Sequence, residues 1–123
     1  EDLLLALLAK NPHNRMAFEF LMAYVLVDAR PERIAAGLER LKDFSYSKTP
    51  RHFQEAMAVC AYVTGIPLTI PGHAVDPEVR DRLSAFLEIL ARAPSRETAI
   101  RNALAAGFGD SYFFYFKFRM SGL

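Results

Sequence analysis

The chain has 123 residues, of which 52% are apolar and 24% are charged, a composition typical of one soluble globular domain. It carries 15 Lys and Arg against 14 Asp and Glu, so net charge gives no reason to expect nucleic acid or an anionic membrane as a partner. The single cysteine, Cys60, excludes an intrachain disulfide, and its apolar surroundings predict a buried thiol with a raised pKa.

The first two predicted helices meet at Lys10-Asn11-Pro12, because the residue before a proline is disfavoured in the helical region. Asn14 is the predicted N-cap of the second helix. One of its faces is apolar at helical spacing, and comprises Phe18, Leu21, Met22 and Val25. Phe20, Tyr24 and Val27 lie on the other side. A helix that is apolar nearly all round predicts two buried faces.

The third and fourth predicted helices begin at prolines. Pro31 suits the first turn of one, whose buried stripe is Ile34, Leu38 and Leu41. Thr49 and Pro50 are the predicted N-cap and first residue of the next, which should end at Gly65. Its stripe comprises Phe53, Ala56, Met57 and Cys60. Residues 66–75 form a loop that is too apolar for a solvated linker, so we expect it to pack along the helices.

Three more helices are predicted in the last part of the chain. Asp76 caps the fifth helix, which should reach Ala93, and Ser95 caps the sixth, which should stop at Gly107. The aromatic residues 112–118 have a strand preference. A lone strand in a helical chain has no partner, so we predict a seventh helix capped by Asp110.

Phe18 and Phe53 lie 35 residues apart, close to the period of ~34 residues of tetratricopeptide repeats. We therefore predict an all-α fold of about six or seven helices, stacked as antiparallel hairpins in a tetratricopeptide-like right-handed superhelix. Met22 and Ile34 stand where that repeat has smaller residues, which predicts wider hairpin spacing. Residues 1–123 should form one helical-repeat domain. Because the chain starts at Glu1, without an initiator Met, we expect a fragment of a longer protein.

Three blocks also resemble a narrower family: NPHNRMAFEFLMAY at residues 11–24, LKDFSY at 41–46 running into PRHFQEA at 50–56, and GDSYFFY at 109–115. They resemble the C-terminal region of an uncharacterised bacterial membrane-protein family, a domain of unknown function. The resemblance implies a soluble helical-repeat tail that follows transmembrane helices in a membrane-anchored parent. It implies no catalytic residue.

Glu19 is the ionisable residue that apolar packing explains least, because a buried carboxylate needs a partner. Arg15 lies one turn earlier on the same helix, and Arg51 or His52 at the start of the fourth helix are alternatives. An ion pair that sets the register of the hairpins is the favoured interpretation. A polar binding site formed by these residues is the other.

The sequence shows no catalytic, cofactor or metal motif. His13, His52 and His73 lack the paired spacing of helical zinc ligands, and Cys60 has no predicted base. We therefore expect a non-catalytic scaffold that binds a protein or peptide. The alternative is an accessory or regulatory tail of a membrane enzyme or transporter, with a mainly structural role, whose partner is the membrane segment of its own parent chain. An independent enzyme is the least favoured hypothesis.

Overall fold

The computed structural model describes residues 1–120, without the side chains of Arg119 and Met120. Within these residues the fold is all-α, as predicted, and its helices are α1 (Asp2–Lys10), α2 (Arg15–Asp28), α3 (Pro31–Leu38), α4 (Arg51–Thr64), α5 (Pro77–Arg92), α6 (Arg96–Ala105) and α7 (Tyr112–Phe114). A 3₁₀ turn, Glu39–Asp43, extends α3, and a π-helical segment, Tyr115–Met120, extends α7. None of the helices in this described part is long and apolar enough to cross a membrane.

Most of the predicted helix boundaries are confirmed. The side chain of Asn14 accepts a hydrogen bond from the backbone N–H of Ala17 at 3.1 Å and caps α2. Pro31 occupies the first turn of α3, and Gly65 ends α4 with a φ of 71°. The predicted cap at Thr49 is wrong by one residue, because Pro50 is the N-cap and the Thr49 hydroxyl contacts the ring of His73 instead.

The C-terminal half also follows the predicted boundaries. Asp76 precedes α5 as its N-cap residue, although its side chain makes no capping hydrogen bond. Ser95 caps α6 by accepting a hydrogen bond from Thr98 N–H at 3.1 Å. The loop 66–75 is packed only in part: Ile70 and His73 are buried, whereas Ile66 is exposed.

The aromatic segment after α6 is helical, so the preference of tertiary packing over strand propensity was predicted correctly. The predicted cap, Asp110, is wrong. Ser111 is the cap, because its Oγ accepts a hydrogen bond from Phe114 N–H at 3.2 Å and donates one to the carbonyl of Phe108 at 2.7 Å. Ser111 is buried and Asp110 is exposed, so only Ser111 can satisfy donors inside the fold.

The first six helices pack against their neighbours in sequence, and α7 returns to contact α4. One core cluster lies among α1 to α4, and a second lies among α5, α6 and the C-terminal segment, with Val59 of α4 in the second. Thus α4 joins the two. In the first cluster the ring of Phe18 stacks on Phe44 at 4.5 Å and meets the edge of Phe53 at 5.8 Å.

The contact between α2 and α3 depends on a pair of unequal residues. A Cβ atom at Gly37 would lie only 2.8 Å from Sδ of Met22. The sequence places the large Met22 where a tetratricopeptide repeat has a small residue, and here the facing helix supplies the small one. Gly37 therefore provides the close approach that residue 22 does not.

The prediction that α2 has two buried faces is wrong. Phe18, Leu21, Met22 and Val25 are buried, but Phe20, Tyr24 and Val27 are exposed. The neighbours of α2, chiefly α1 and α3, cover one side of the helix and leave the other to solvent. The apolar character of this second side therefore has no explanation in the core of the described chain.

Candidate functional site

The predicted pair Arg15 and Glu19 forms, but at the surface. Arg15 Nε lies 3.4 Å from Glu19 Oε2, and the Glu19 side chain is 51% exposed. The hydroxyl of Tyr46 donates to the same oxygen at 3.0 Å, and the Arg15 guanidinium lies 4.1 Å above the Tyr46 ring. Burial, and then the Glu19 carboxylate, raise the pKa of Tyr46. This cluster connects α2 to the segment before α4.

Arg51 and His52 do not contact Glu19 in the described structure, so that interhelical alternative is wrong. Both face Glu55 instead: Arg51 Nε lies 3.7 Å from Oε2, and His52 Nδ1 lies 3.5 Å from Oε1. Arg51 also reaches Glu78 at the start of α5, at 3.5 Å. The four predicted site residues therefore form two separate groups, one at the start of α2 and one at the start of α4.

Glu55 is the buried carboxylate that the sequence interpretation missed. The residue is 2% exposed, and Oε1 accepts a hydrogen bond from the backbone N–H of Tyr112 at 3.0 Å. The signal was present, because Glu55 lies beside the buried stripe positions Phe53 and Ala56. A general rule that Glu is exposed hid it. Its contacts give it a structural role, which is to anchor α7 on α4.

A second buried polar cluster holds the loop before α5. His73 Nε2 lies 3.1 Å from the carbonyl oxygen of Phe44, and Nδ1 lies 2.8 Å from the hydroxyl of Thr49. Gln54 donates to the carbonyl of Thr49 at 2.9 Å and accepts from the N–H of Asp76 at 2.8 Å. Every contact joins this loop to its neighbours.

The described residues contain no group of three or more His, Cys, Asp or Glu side chains arranged to hold a metal ion. Cys60 is buried, and burial raises the pKa of its thiol to about 12, as the apolar sequence context predicts. A thiol in this state is a poor nucleophile at neutral pH. The ionisable side chains thus explain how the fold is held together and leave its surface to be considered.

The deepest concave feature is an apolar groove between α4, α5 and the C-terminal segment, with a volume of about 600 Å³. Phe86 and Phe113, both buried, form its floor. The walls comprise Tyr62 and Val63 of α4, Leu83, Leu87, Leu90 and Ala91 of α5, and Phe116 and Lys117. Leu83 to Ala91 corresponds to ~12 Å of helix, so the groove is long enough for about two turns of a bound helix.

The sequence interpretation did not find this groove. The α5 wall coincides with part of the stripe that was predicted to be core, and Tyr62 and Val63 follow the predicted stripe of α4. An apolar stripe looks the same whether a neighbouring helix or a bound ligand covers it. Only the separation of α4 from α5 at this point shows that the stripe is left partly open.

A second apolar surface lies on the outer side of α1 and α2. We call it the α1–α2 face, and it comprises Leu3, Leu7, Met16, Phe20, Tyr24 and Val27. The four residues on α2 are between 46% and 67% exposed. Soluble monomers rarely expose apolar patches of this extent unless the patch has a binding function.

Comparison with known proteins gives a family. The model of a family of unknown function (DUF6057) matches residues 1–119. The match covers almost the whole chain, and the chain belongs to this family. No curated protein and no solved structure matches the chain.

Proposed function

We propose that this member of the DUF6057 family is a non-catalytic interaction domain that binds an amphipathic helix of a protein partner in its apolar groove. The observation that carries the proposal is the groove itself, an open apolar channel of about 600 Å³ whose floor is formed by two buried phenylalanine rings. Helices are recognised in such grooves through apolar anchors at positions i, i+3 or i+4, and i+7. Leu83, Leu87 and Leu90 have the matching spacing on the α5 wall.

The tetratricopeptide-like arrangement is part of this proposal. It is supported by the packing of successive helices on one another and by the equivalent places of Phe18 and Phe53 in the first core cluster. In stacked hairpins each pair leaves a concave side where a peptide can lie. The groove beside α4 fits that general description.

The membrane context also stays a proposal. The family resemblance at residues 11–24, 41–56 and 109–115 implies a parent protein with transmembrane helices. Such a parent is one source for the bound helix, and in that case the domain acts as an accessory tail on its own membrane segment. A separate protein is the other source.

The test is a library of displayed helical peptides of about 18 residues, whose best binders are measured by fluorescence anisotropy. Tyr62→Glu places a charge on the groove wall and should weaken binding about 30-fold or more. Phe20→Glu is the matched control, since Phe20 and Tyr62 are both 61% exposed but Phe20 lies on the α1–α2 face. Binding that is unaffected by Tyr62→Glu would contradict the groove proposal.

A photo-crosslinking amino acid at position 62 of the full-length protein identifies the source of the bound helix. A cross-link within one chain would support the accessory-tail interpretation. A cross-link to another protein, lost when Leu87→Glu is added, would support a scaffold for a separate partner.

A further inference from the structure

We infer that the α1–α2 face is a homodimer interface, in which two copies of this chain pair their α2 helices antiparallel. Met16, Phe20, Tyr24 and Val27 follow one another at intervals of four, four and three residues, so they lie on one side of α2. This side faces away from the buried Phe18, Leu21, Met22 and Val25. Leu3 and Leu7 of α1 extend the same surface, at 72% and 38% exposure.

Charge argues against a lipid surface as the occupant. Helices that lie on anionic membranes carry Lys and Arg beside their apolar side. Residues 1–28 carry two basic side chains, Lys10 and Arg15. The acidic ones are Glu1, Asp2, Glu19 and Asp28, so four negative charges oppose two positive ones and this part of the chain has a formal charge of −2. The face is apolar but its surroundings are acidic, which favours a protein surface.

The stripe on α2 is self-complementary in an antiparallel arrangement. A two-fold axis at the level of Met22 places Met16 opposite Val27 of the second copy and Phe20 opposite Tyr24 of the second copy. A two-fold interface uses the same patch on both subunits, so every such contact occurs twice. The helix dipoles are then also antiparallel, which is the favourable orientation.

The ends of the stripe carry complementary charges. The same register brings Arg15 of one copy to Asp28 of the other. Asp28 Oδ2 is buried and makes no hydrogen bond within the described chain, although Arg30 Nε lies 3.3 Å away as an ion-pair partner. Arg15 is half exposed, and its guanidinium has five donors, more than its contact with Glu19 uses. Asp28 therefore has acceptor capacity that the second copy can fill.

The size of the face suits a dimer of moderate affinity. Six large apolar side chains that each expose on the order of 100 Å² give roughly 1,200 Å² for two copies, the lower end of specific protein interfaces. An interface of this size leads us to expect a dissociation constant in the micromolar range. Dimer formation leaves the groove between α4 and α5 open, so this inference stands apart from the proposed function.

Sedimentation equilibrium of the whole chain tests the inference. We expect a monomer–dimer equilibrium, and Phe20→Glu should raise the dissociation constant about 100-fold or more. Tyr62→Glu, at an equally exposed position, should leave it unchanged, and circular dichroism checks that both variants are folded. A monomer at about 0.5 mM would overturn the inference, as would equal effects of the two variants.

Cysteine cross-linking tests the register. Met16→Cys and Val27→Cys, each made separately and then mixed under oxidation, should form a disulfide between the two variants. Cys60 is buried and does not compete. Cross-links that form within each variant alone and not in the mixture would indicate a parallel pair and would overturn the antiparallel arrangement.

Discussion

The backbone N–H of Tyr112 donates a hydrogen bond of 3.0 Å to Glu55 Oε1, across 57 positions of the chain. This bond satisfies one of the free donors at the start of α7, and the Tyr112 hydroxyl reaches the carbonyl of Leu26 at 2.7 Å. Tyr112 thereby connects α4 to the end of α2. The bond also fixes α7, whose Phe113 forms part of the groove floor.

Replacing Glu55 should therefore cost much more than replacing an exposed acid. Glu55→Ala leaves the N–H of Tyr112 buried without an acceptor, and we expect a loss of about 2–3 kcal/mol in the free energy of unfolding. Glu55→Gln keeps an acceptor oxygen and should cost less. Glu78→Ala, which removes an exposed partner of Arg51, should change stability by less than ~0.5 kcal/mol. Urea denaturation measures all three, and similar values for Glu55→Ala and Glu78→Ala would contradict the anchoring role.

The loop before α5 should depend on the hydroxyl of Thr49. In the neutral ring, His73 Nε2–H donates to the carbonyl of Phe44, which leaves Nδ1 to accept from Thr49. Thr49→Val keeps the shape but removes the donor, and should cost about 1–2 kcal/mol. Hydrogen exchange should show faster opening of residues 70–76. Ser47→Ala, at an exposed neighbouring position, is the control, and an equal effect there would argue against a role for this cluster.

The close contact between Gly37 and Met22 predicts a non-additive pair. Gly37→Ala improves helix propensity by up to ~1 kcal/mol, yet its Cβ would overlap with the buried Met22 side chain. We expect a net loss of about 1 kcal/mol in the single variant. In a Met22→Ala background the same change should become neutral or stabilising. Thermal or urea denaturation of the four proteins checks this, and additive effects would show that residues 22 and 37 are not coupled.

The buried thiol of Cys60 predicts a loss of stability in alkali. The fold raises its pKa from 9.0 to about 12, so only the unfolded chain ionises between these values. The contribution is complete below pH 9 and is lost as the pH rises toward 12. At pH 10 the unfolded state gains about 1.4 kcal/mol from this thiol. Burial also raises the pKa of Tyr112, with the same sign.

Cys60→Ala isolates the contribution of the thiol. The difference in unfolding free energy between the variant and the natural chain should be constant up to pH 8.5 and should change by about 1.4 kcal/mol at pH 10. Ellman's reagent offers a second measurement, since Cys60 should react only as fast as the chain unfolds. Rapid labelling of the folded protein would contradict the burial of this thiol.

Local signals made much of the fold predictable. Asn14, Pro31, Gly65, Pro77 and Ser95 act through backbone groups within a few residues of themselves, so their effects can be read from sequence. The caps of α4 and α7 were misplaced for one shared reason. Thr49 and Ser111 stand beside equally suitable neighbours, Pro50 and Asp110, and the choice depends on His73 and on the burial of Ser111.

The candidate surfaces were harder to predict than the helices. Glu19 was expected to be the partnered carboxylate, but Glu55 is the buried one, because α7 returns to α4 over 57 positions. No local pattern encodes that return. The groove likewise depends on how far α4 and α5 separate, which is a property of the packed core around Phe86 and Phe113.

The sequence by itself determined the all-α class, the order of the helices and most of their ends, because helical period and capping act over one or two turns. For α2 it determined only that both sides are apolar. The tertiary structure decided that Phe18 is buried and Phe20 is not, since a helix at the edge of a stack has neighbours on one side alone. Burial is set by what packs against a residue, and the exposed side of α2 becomes a surface for a second chain.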